Sequence, residues 1–199
     1  MHPTLADHVI VTLQRLLPAR LLGRFIYWLA RRRTIWLKNF LIRGFSALFN
    51  VDTSDAARPV PDGYASFNEF FTRELKAGAR PHVRDPRHLI SPVDGTIAQL
   101  GHAQAGQLIE AKGARFSAAS LLGDSTMAAA FETAPFATLY LAPYNYHRIH
   151  MPIDGTLVST RFIPGKHHSV NARTVAVIPD LYALNERLVC RFSGDHGDF

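Results

Sequence analysis

The stretch GTLVSTRFI, residues 155–163, decides the fold class. It follows Asp154 in an Asp-Gly turn dipeptide, is rich in β-branched and aromatic residues, and stops at Pro164. That is the pattern of a short strand bounded by turn signals. Working outward from it, GTIAQL at 95–100, ATLYLA at 137–142, TVAVI at 174–178 and RLVCRF at 187–192 have the same texture, again punctuated by Gly or Pro. Everything from about residue 89 onward therefore reads as a mostly antiparallel, β-rich core. Asp94-Gly95 supplies a second turn dipeptide ahead of its first strand.

The residues before that core read differently. Residues 3–17 carry Leu5, Val9, Leu13 and Leu16 at roughly helical spacing, and Pro18 ends the run. Residues 19–49 form one or two further helices. Leu22, Phe25, Ile26 and Leu29 make one apolar stripe, and Leu37, Phe40, Leu41, Phe45, Leu48 and Phe49 make another. Residues 50–65, rich in Asp and Pro, read as a linker, and FNEFFTREL at 67–75 reads as a helix that Ser66 can cap. The expected fold class is thus α+β: basic amphipathic helices at 1–50, a linker and helix at 51–88, and a β-rich core at 89–199.

Charge is not spread evenly over these parts. Residues 1–50 hold eight basic side chains against Asp7 alone, a local +7 in a chain of net charge +6, which leaves the remainder at −1. A basic block among apolar and Trp residues suits an anionic bilayer surface, whereas the same helices packed on the protein's own core are the plainer reading. Charged residues interrupt each apolar run, so no segment has the ~18 uncharged residues of a membrane span. No secretory leader is recognisable. Nucleic acid is disfavoured as a partner, because the part outside the helices is slightly acidic. Cys190 is the single cysteine, so neither an internal disulfide nor a CxxC site is available.

Candidate chemistry concentrates in SPVDG at 91–95 and YHRIHMP at 146–152. Taken alone, Asp94 is a turn aspartate. His147 and His150 share a face only if their segment is helical. A zinc reading needs a third ligand, for which His167 or His168 could be offered. No acid or cysteine falls at a familiar ligand spacing, so no metal is expected. LLGDST at 121–126 resembles a Gly-Ser processing site with an Asp inserted, and reads better as a helix end followed by a loop.

In order along the chain, SPVDG, EAKG at 110–113, YHRIHMP, IPGKHHSVN at 163–171 and NERLVC at 185–190 resemble the phosphatidylserine decarboxylase family. FNEFFTREL followed by Arg80-Pro81, and the basic amphipathic start, are similar to it too. Members of that family remove CO2 from phosphatidylserine to give phosphatidylethanolamine. No ordinary side chain can hold the electron pair that departing CO2 leaves; a carbonyl bonded to the substrate amine can. The resemblance implies a pyruvoyl group in that role, made from the protein's own serine by cleavage of a Gly-Ser bond.

It further implies that Asp94 and His150 are the Asp and His of an Asp-His-Ser arrangement, and that His147 positions substrate and delivers a proton. The family's Leu-Gly-Ser-Thr motif has no counterpart here, where no Gly-Ser dipeptide occurs. The expectation is a C-terminally truncated chain, inactive alone, whose partners are a pyruvoyl-bearing α-chain, phosphatidylserine and the anionic cytoplasmic face of the cell membrane. A homodimer is also allowed. The rival readings are an inactive fragment and a non-enzymatic basic membrane-binding module. Pyridoxal phosphate is disfavoured, since none of Lys38, Lys76, Lys112 and Lys166 has a cofactor-lysine context.

Overall fold

The computed structural model describes residues 4, 18–82, 85, 88–109, 115–195 and 197–199. The helix expected over 3–17 and the EAKG segment lie outside the described residues. The chain divides into two compact units: Met1–Leu22, Ile97–Tyr140 and Thr156–Phe199 form one, and Gly23–Thr96 with Leu141–Gly155 form the other. This division cuts across the boundaries read from the sequence at residues 50 and 88. A segment from within the β-rich half, 141–155, belongs with the helices instead.

The helical unit takes in α1 (Ala19–Ala30) from Gly23 onward and then α2 (Ile35–Phe49). The basic run separates them: Arg31 and Arg32 fold back in tight turns onto the carbonyls of Trp28 and Leu29. Asn50 ends α2 in the left-handed region at φ 51°, where an asparagine is tolerated better than most residues, and donates its N–H to Ser46.

The two faces of α2 do different work. Ile42 is fully buried with Tyr64 and Phe70, and Phe45, Val51, Val60 and Phe67 pack around them. Phe45 meets Phe67 edge-on at 5.1 Å, and Tyr64 meets Phe70 at 5.6 Å, the geometry that the ring quadrupoles favour. Lys38 lies on this inner face, donating to Asn39 Oδ1 at 2.6 Å and to the Pro61 carbonyl at 3.3 Å. It is therefore withdrawn from the basic surface counted in the sequence. Trp36, Phe40 and Leu48 stand at least 70% exposed on the other side. The stretch at 51–66 is more than a linker, because Ala56 and Tyr64 are buried in this core.

The third helix, α3 (Phe67–Phe71), is shorter than its sequence pattern suggests. Ser66 caps it as expected, accepting from the Glu69 N–H at 3.2 Å. Glu69 reaches back to the Ala65 N–H at 2.8 Å and pairs with Arg58 at 2.6 Å, a capping box displaced by one residue. The Ala65 hydrogen bond first, and Arg58 second, hold the Glu69 carboxyl below its ordinary range.

The second unit is the β-rich one. β1 (Thr96–His102) neighbours β4 (Pro135–Tyr140), while β2 (Gln107–Ile109) and β3 (Arg115–Ser117) pair antiparallel. β5 (Thr156–Ile163) pairs antiparallel with β6 (Arg187–Gly194), which pairs with β7 (Gly197–Asp198). The deciding stretch is indeed a strand, with Thr160 opposite Cys190 and a bulge between Leu157 and Ser159. Two short helices follow β3: α4 (Ala118–Leu122), closed by Gly123 at φ 65°, and α5 (Ser125–Ala129), capped by Asp124. LLGDST is thus a helix end running directly into a second helix.

TVAVI is not a strand. It lies in α6 (Ala172–Val177), where Asn171 accepts from the Thr174 N–H at 3.0 Å. Thr174, Ile178 and Leu181 are buried at helical spacing, and Leu181 opens α7 (Leu181–Leu184). The cap and that spacing override the β-propensity of the residues. The family-like segments 163–171 and 185–190 are clamped together. Lys166 donates its N–H to the Leu184 carbonyl and its own carbonyl accepts from the Glu186 N–H, and Asn185 bonds both backbone groups of His168. A Cβ on Gly165 would fall 2.5 Å from the backbone of residues 184–186, so only glycine fits there.

A carboxylate with a depressed pKa stabilises the fold above its unfolded-state pKa and loses that contribution as pH falls through its folded-state value. Glu69→Gln is therefore expected to lower the melting temperature at neutral pH, with the difference from the parent shrinking as pH drops below about 4. Melting curves across that range check it.

Candidate active site

The segment YNYHRIHMP, residues 144–152, is neither helix nor strand, so neither periodicity places its histidines. Its path is set by hydrogen bonds within the helical unit. Asn145 closes the preceding turn, donating its N–H to the Ala142 carbonyl and accepting from the Ala142 N–H at 2.7 Å. Arg148 reaches the Thr72 carbonyl at 2.9 Å and Glu74 at 3.1 Å, which ties the segment to the end of FNEFFTREL. Two backbone bonds then clasp it to SPVDG: His150 N–H to the Pro92 carbonyl at 2.8 Å, and Ile90 N–H to the Pro152 carbonyl at 3.0 Å. Both prolines offer only a carbonyl, and each carbonyl is used.

His147 is half-buried, its ring 4.0 Å from that of Phe71 between centroids. Nδ1 lies 2.8 Å from the Asn145 carbonyl oxygen. A carbonyl can only accept, so Nδ1 carries the hydrogen and the neutral ring keeps a lone pair on Nε2. Burial lowers the His147 pKa first and the Arg73 cation lowers it further, against an upward pull from the Asn145 hydrogen bond.

Arg73 itself is 4% exposed, and its Nε has no hydrogen-bond partner. Its guanidinium lies over the Phe70 ring at 5.3 Å. Burial lowers its pKa, while Tyr64, Asp52 and Asp94 oppose the shift.

Asp94 sits at the turn before β1, and the Ser91 hydroxyl bonds the Val93 carbonyl at 2.7 Å beside it. Its Oδ2 accepts twice from Arg80, from Nε at 2.7 Å and Nη2 at 2.6 Å, and Arg80 Nη1 also reaches Asp55 at 2.8 Å. Those bonds, to Asp94 first and Asp55 second, raise the Arg80 pKa. His150 is exposed, with Nε2 2.9 Å from the Tyr146 hydroxyl. Residues 90–94 and 146–152 are thus brought side by side, but no hydrogen bond joins Asp94 to His150 among the described residues.

Arg80 and Tyr146 are the partners that sequence reasoning missed. Both lie inside quoted motifs, Arg80-Pro81 and YHRIHMP, where attention fell on the titrating histidines. His167 lies in the other unit, 3.3 Å from Glu186.

The folded chain thus sets SPVDG and the two histidines of YHRIHMP side by side on an α+β scaffold. A sequence model described as phosphatidylserine decarboxylase matches residues 67–199, and one described as PSD matches residues 9–50. The chain is 45% identical to the phosphatidylserine decarboxylase proenzyme of Alkalilimnicola ehrlichii and 46% identical to that of Azotobacter vinelandii, over 96% of its own length and 67% of each relative. It is 47% identical to that of Azoarcus sp. strain BH72, over 98% of its length and 67% of that relative. The chain belongs to the phosphatidylserine decarboxylase family, a carboxy-lyase family of the proenzyme type, and spans about two thirds of the length of these relatives.

His147 is expected to titrate with a midpoint below 6.5, and Arg73→Met to move that midpoint up part of the way. A histidine with a lowered folded-state pKa resists protonation, so its effect on stability is absent well above 6.5 and grows unfavourable as pH falls towards the folded-state value. A proton NMR titration of the ring Hε1 signal measures the midpoint.

Proposed function

We propose that this chain carries the self-processing and proton-transfer residues of a phosphatidylserine decarboxylase, which converts phosphatidylserine to phosphatidylethanolamine and CO2. The observation that carries this reading is the clasp between residues 90–92 and 150–152, which sets Asp94 and His150 on adjoining segments. In processing, His150 takes the proton of a serine hydroxyl supplied by sequence outside these 199 residues. Asp94 orients the imidazole and stabilises its cation. In decarboxylation, His147 takes a proton from solvent at Nε2, bare in the neutral ring, and delivers it to the carbon that CO2 has left.

The residues fit a pyruvoyl site: His147 has an uncommitted Nε2 and is partly desolvated against Phe71, as a group moving protons beside a carbonyl needs. The pyruvoyl group, when present, supplies the acceptor for the electron pair released with CO2. Phe71 and the Asn145 carbonyl fix the His147 ring, so the proton is held at one defined atom. A pyruvoyl-bearing α-chain completes the enzyme.

The helices α1 and α2 deliver this unit to its lipid substrate. Phe25, Ile26 and Trp28 are each about half exposed, and Trp36 and Phe40 more so. Arg31 lies over the Tyr27 ring at 3.5 Å and Arg32 over the Trp28 ring at 3.8 Å, which places cations beside interfacial aromatics. Among the described residues no helix is long and apolar enough to cross a membrane. The helices therefore lie in the interface of an anionic bilayer, at its cytoplasmic face.

The test is a chimaera of these 199 residues with the remaining third of the Azotobacter vinelandii relative. His150→Ala is expected to leave it uncleaved by intact mass, while His147→Ala is cleaved but releases CO2 at least tenfold more slowly. Equal block of cleavage by both changes would overturn the assignment. For the membrane, changing Arg31, Arg32 and Arg33 together to Gln is expected to weaken binding of the 199-residue chain to anionic vesicles by up to roughly 3 kcal/mol. Sedimentation with vesicles reads this, and unchanged binding would remove the helices from the membrane.

A further inference from the structure

The Tyr146 side chain is buried, with 7% of the residue exposed, and its hydroxyl lies 2.9 Å from His150 Nε2. The two rings stack at 5.5 Å between centroids and 26° between planes. Two arrangements of hydrogen satisfy that distance. In one, Tyr146 donates to a bare Nε2. In the other, His150 donates from Nε2, and the phenol hydrogen needs a second acceptor. No other hydrogen-bond partner of the Tyr146 hydroxyl is found among the described residues, and a buried donor without an acceptor costs more than an unused oxygen lone pair. His150 is exposed, so its Nδ1 can carry a hydrogen to water or to a carboxylate at no such cost. Tyr146 is therefore the donor, and the neutral His150 ring is protonated at Nδ1.

That tautomer is the one an Asp-His-nucleophile relay requires. Nδ1–H donates to the carboxylate, and the Nε2 lone pair accepts the proton of the attacking hydroxyl. Asp94 shows the complementary feature. Arg80 makes both its hydrogen bonds to Oδ2, and among the described residues none is found on Oδ1. The backbone bond from His150 to Pro92, two residues before Asp94, holds the two groups on adjoining segments.

We propose that Tyr146 is a positioning residue for His150: its hydroxyl sets the Nδ1–H tautomer and caps Nε2 until the nucleophile's hydroxyl takes its place. No covalent bond to Tyr146 forms or breaks; one hydrogen bond to Nε2 is exchanged for another. The proposal rests on His150 being the processing base, but its first test does not.

That test is long-range proton–nitrogen NMR on the uniformly 15N-labelled 199-residue chain at about pH 8, where histidine is neutral. The expected spectrum shows His150 with a pyrrole-type Nδ1 and a pyridine-type Nε2. In Tyr146→Phe the two nitrogen shifts are expected to converge towards those of an unconstrained imidazole. A pyrrole-type Nε2 in the parent protein overturns the proposal, as does an unchanged tautomer in a folded Tyr146→Phe variant. Should that variant not fold, the parent spectrum alone decides. In the chimaera, Tyr146→Phe is expected to slow cleavage at least tenfold without abolishing it. If His150→Ala cleaves normally while the tautomer shift is seen, the processing role fails and the positioning contact stands.

Discussion

Two backbone hydrogen bonds, His150 to Pro92 and Ile90 to Pro152, are the constraint on which the site depends. The segments they join are separated by some fifty residues of sequence that fold into another unit, so no local preference brings them together. Once joined, the side chains fall into place by short-range rules. Arg148 anchors the middle of the loop on residues 72–74, Asn145 fixes His147, and Tyr146 fixes His150. Each histidine has one ring nitrogen in a hydrogen bond, Nδ1 of His147 and Nε2 of His150.

The helical unit combines a core and a surface in one helix. From the sequence, α2 could face the protein or a bilayer; one of its faces packs on the protein and the other stands exposed. Lys38, Ile42 and Phe45 turn inward at helical spacing, while Trp36, Phe40 and Leu48 turn out. An inward face holds the helix against Tyr64 and Phe70, the aromatic cluster that continues through Phe71 to His147. The exposed apolar face of α2 and the segment that carries His147 thus belong to one compact unit.

Much of this was legible in the sequence, and its failures have physical causes. GTLVSTRFI and RLVCRF read as strands because both are short apolar runs near turn signals. TVAVI has a similar texture but becomes a helix, since Asn171 caps it and Thr174 and Ile178 are buried four residues apart. Asp94, His147 and His150 were singled out from their motifs, whereas the contacts of Arg80 and Tyr146 were not, because a hydrogen-bond partner has no periodicity to betray it. Lys38 counted as a surface charge until its hydrogen bond to the Pro61 carbonyl was seen. The division into units follows other lines than the change of texture at residues 50 and 88, since composition does not mark which distant segment a loop rejoins.

Amide hydrogen exchange on the 199-residue chain measures the clasp directly. The amides of Ile90 and His150 are predicted to be protected to a degree comparable with Phe70, whose N–H bonds the Ser66 carbonyl at 3.2 Å inside the same unit. Exchange of Ile90 and His150 at unfolded-chain rates, with Phe70 still protected, would show that residues 90–94 and 146–152 are not held together, and the site described above would not exist.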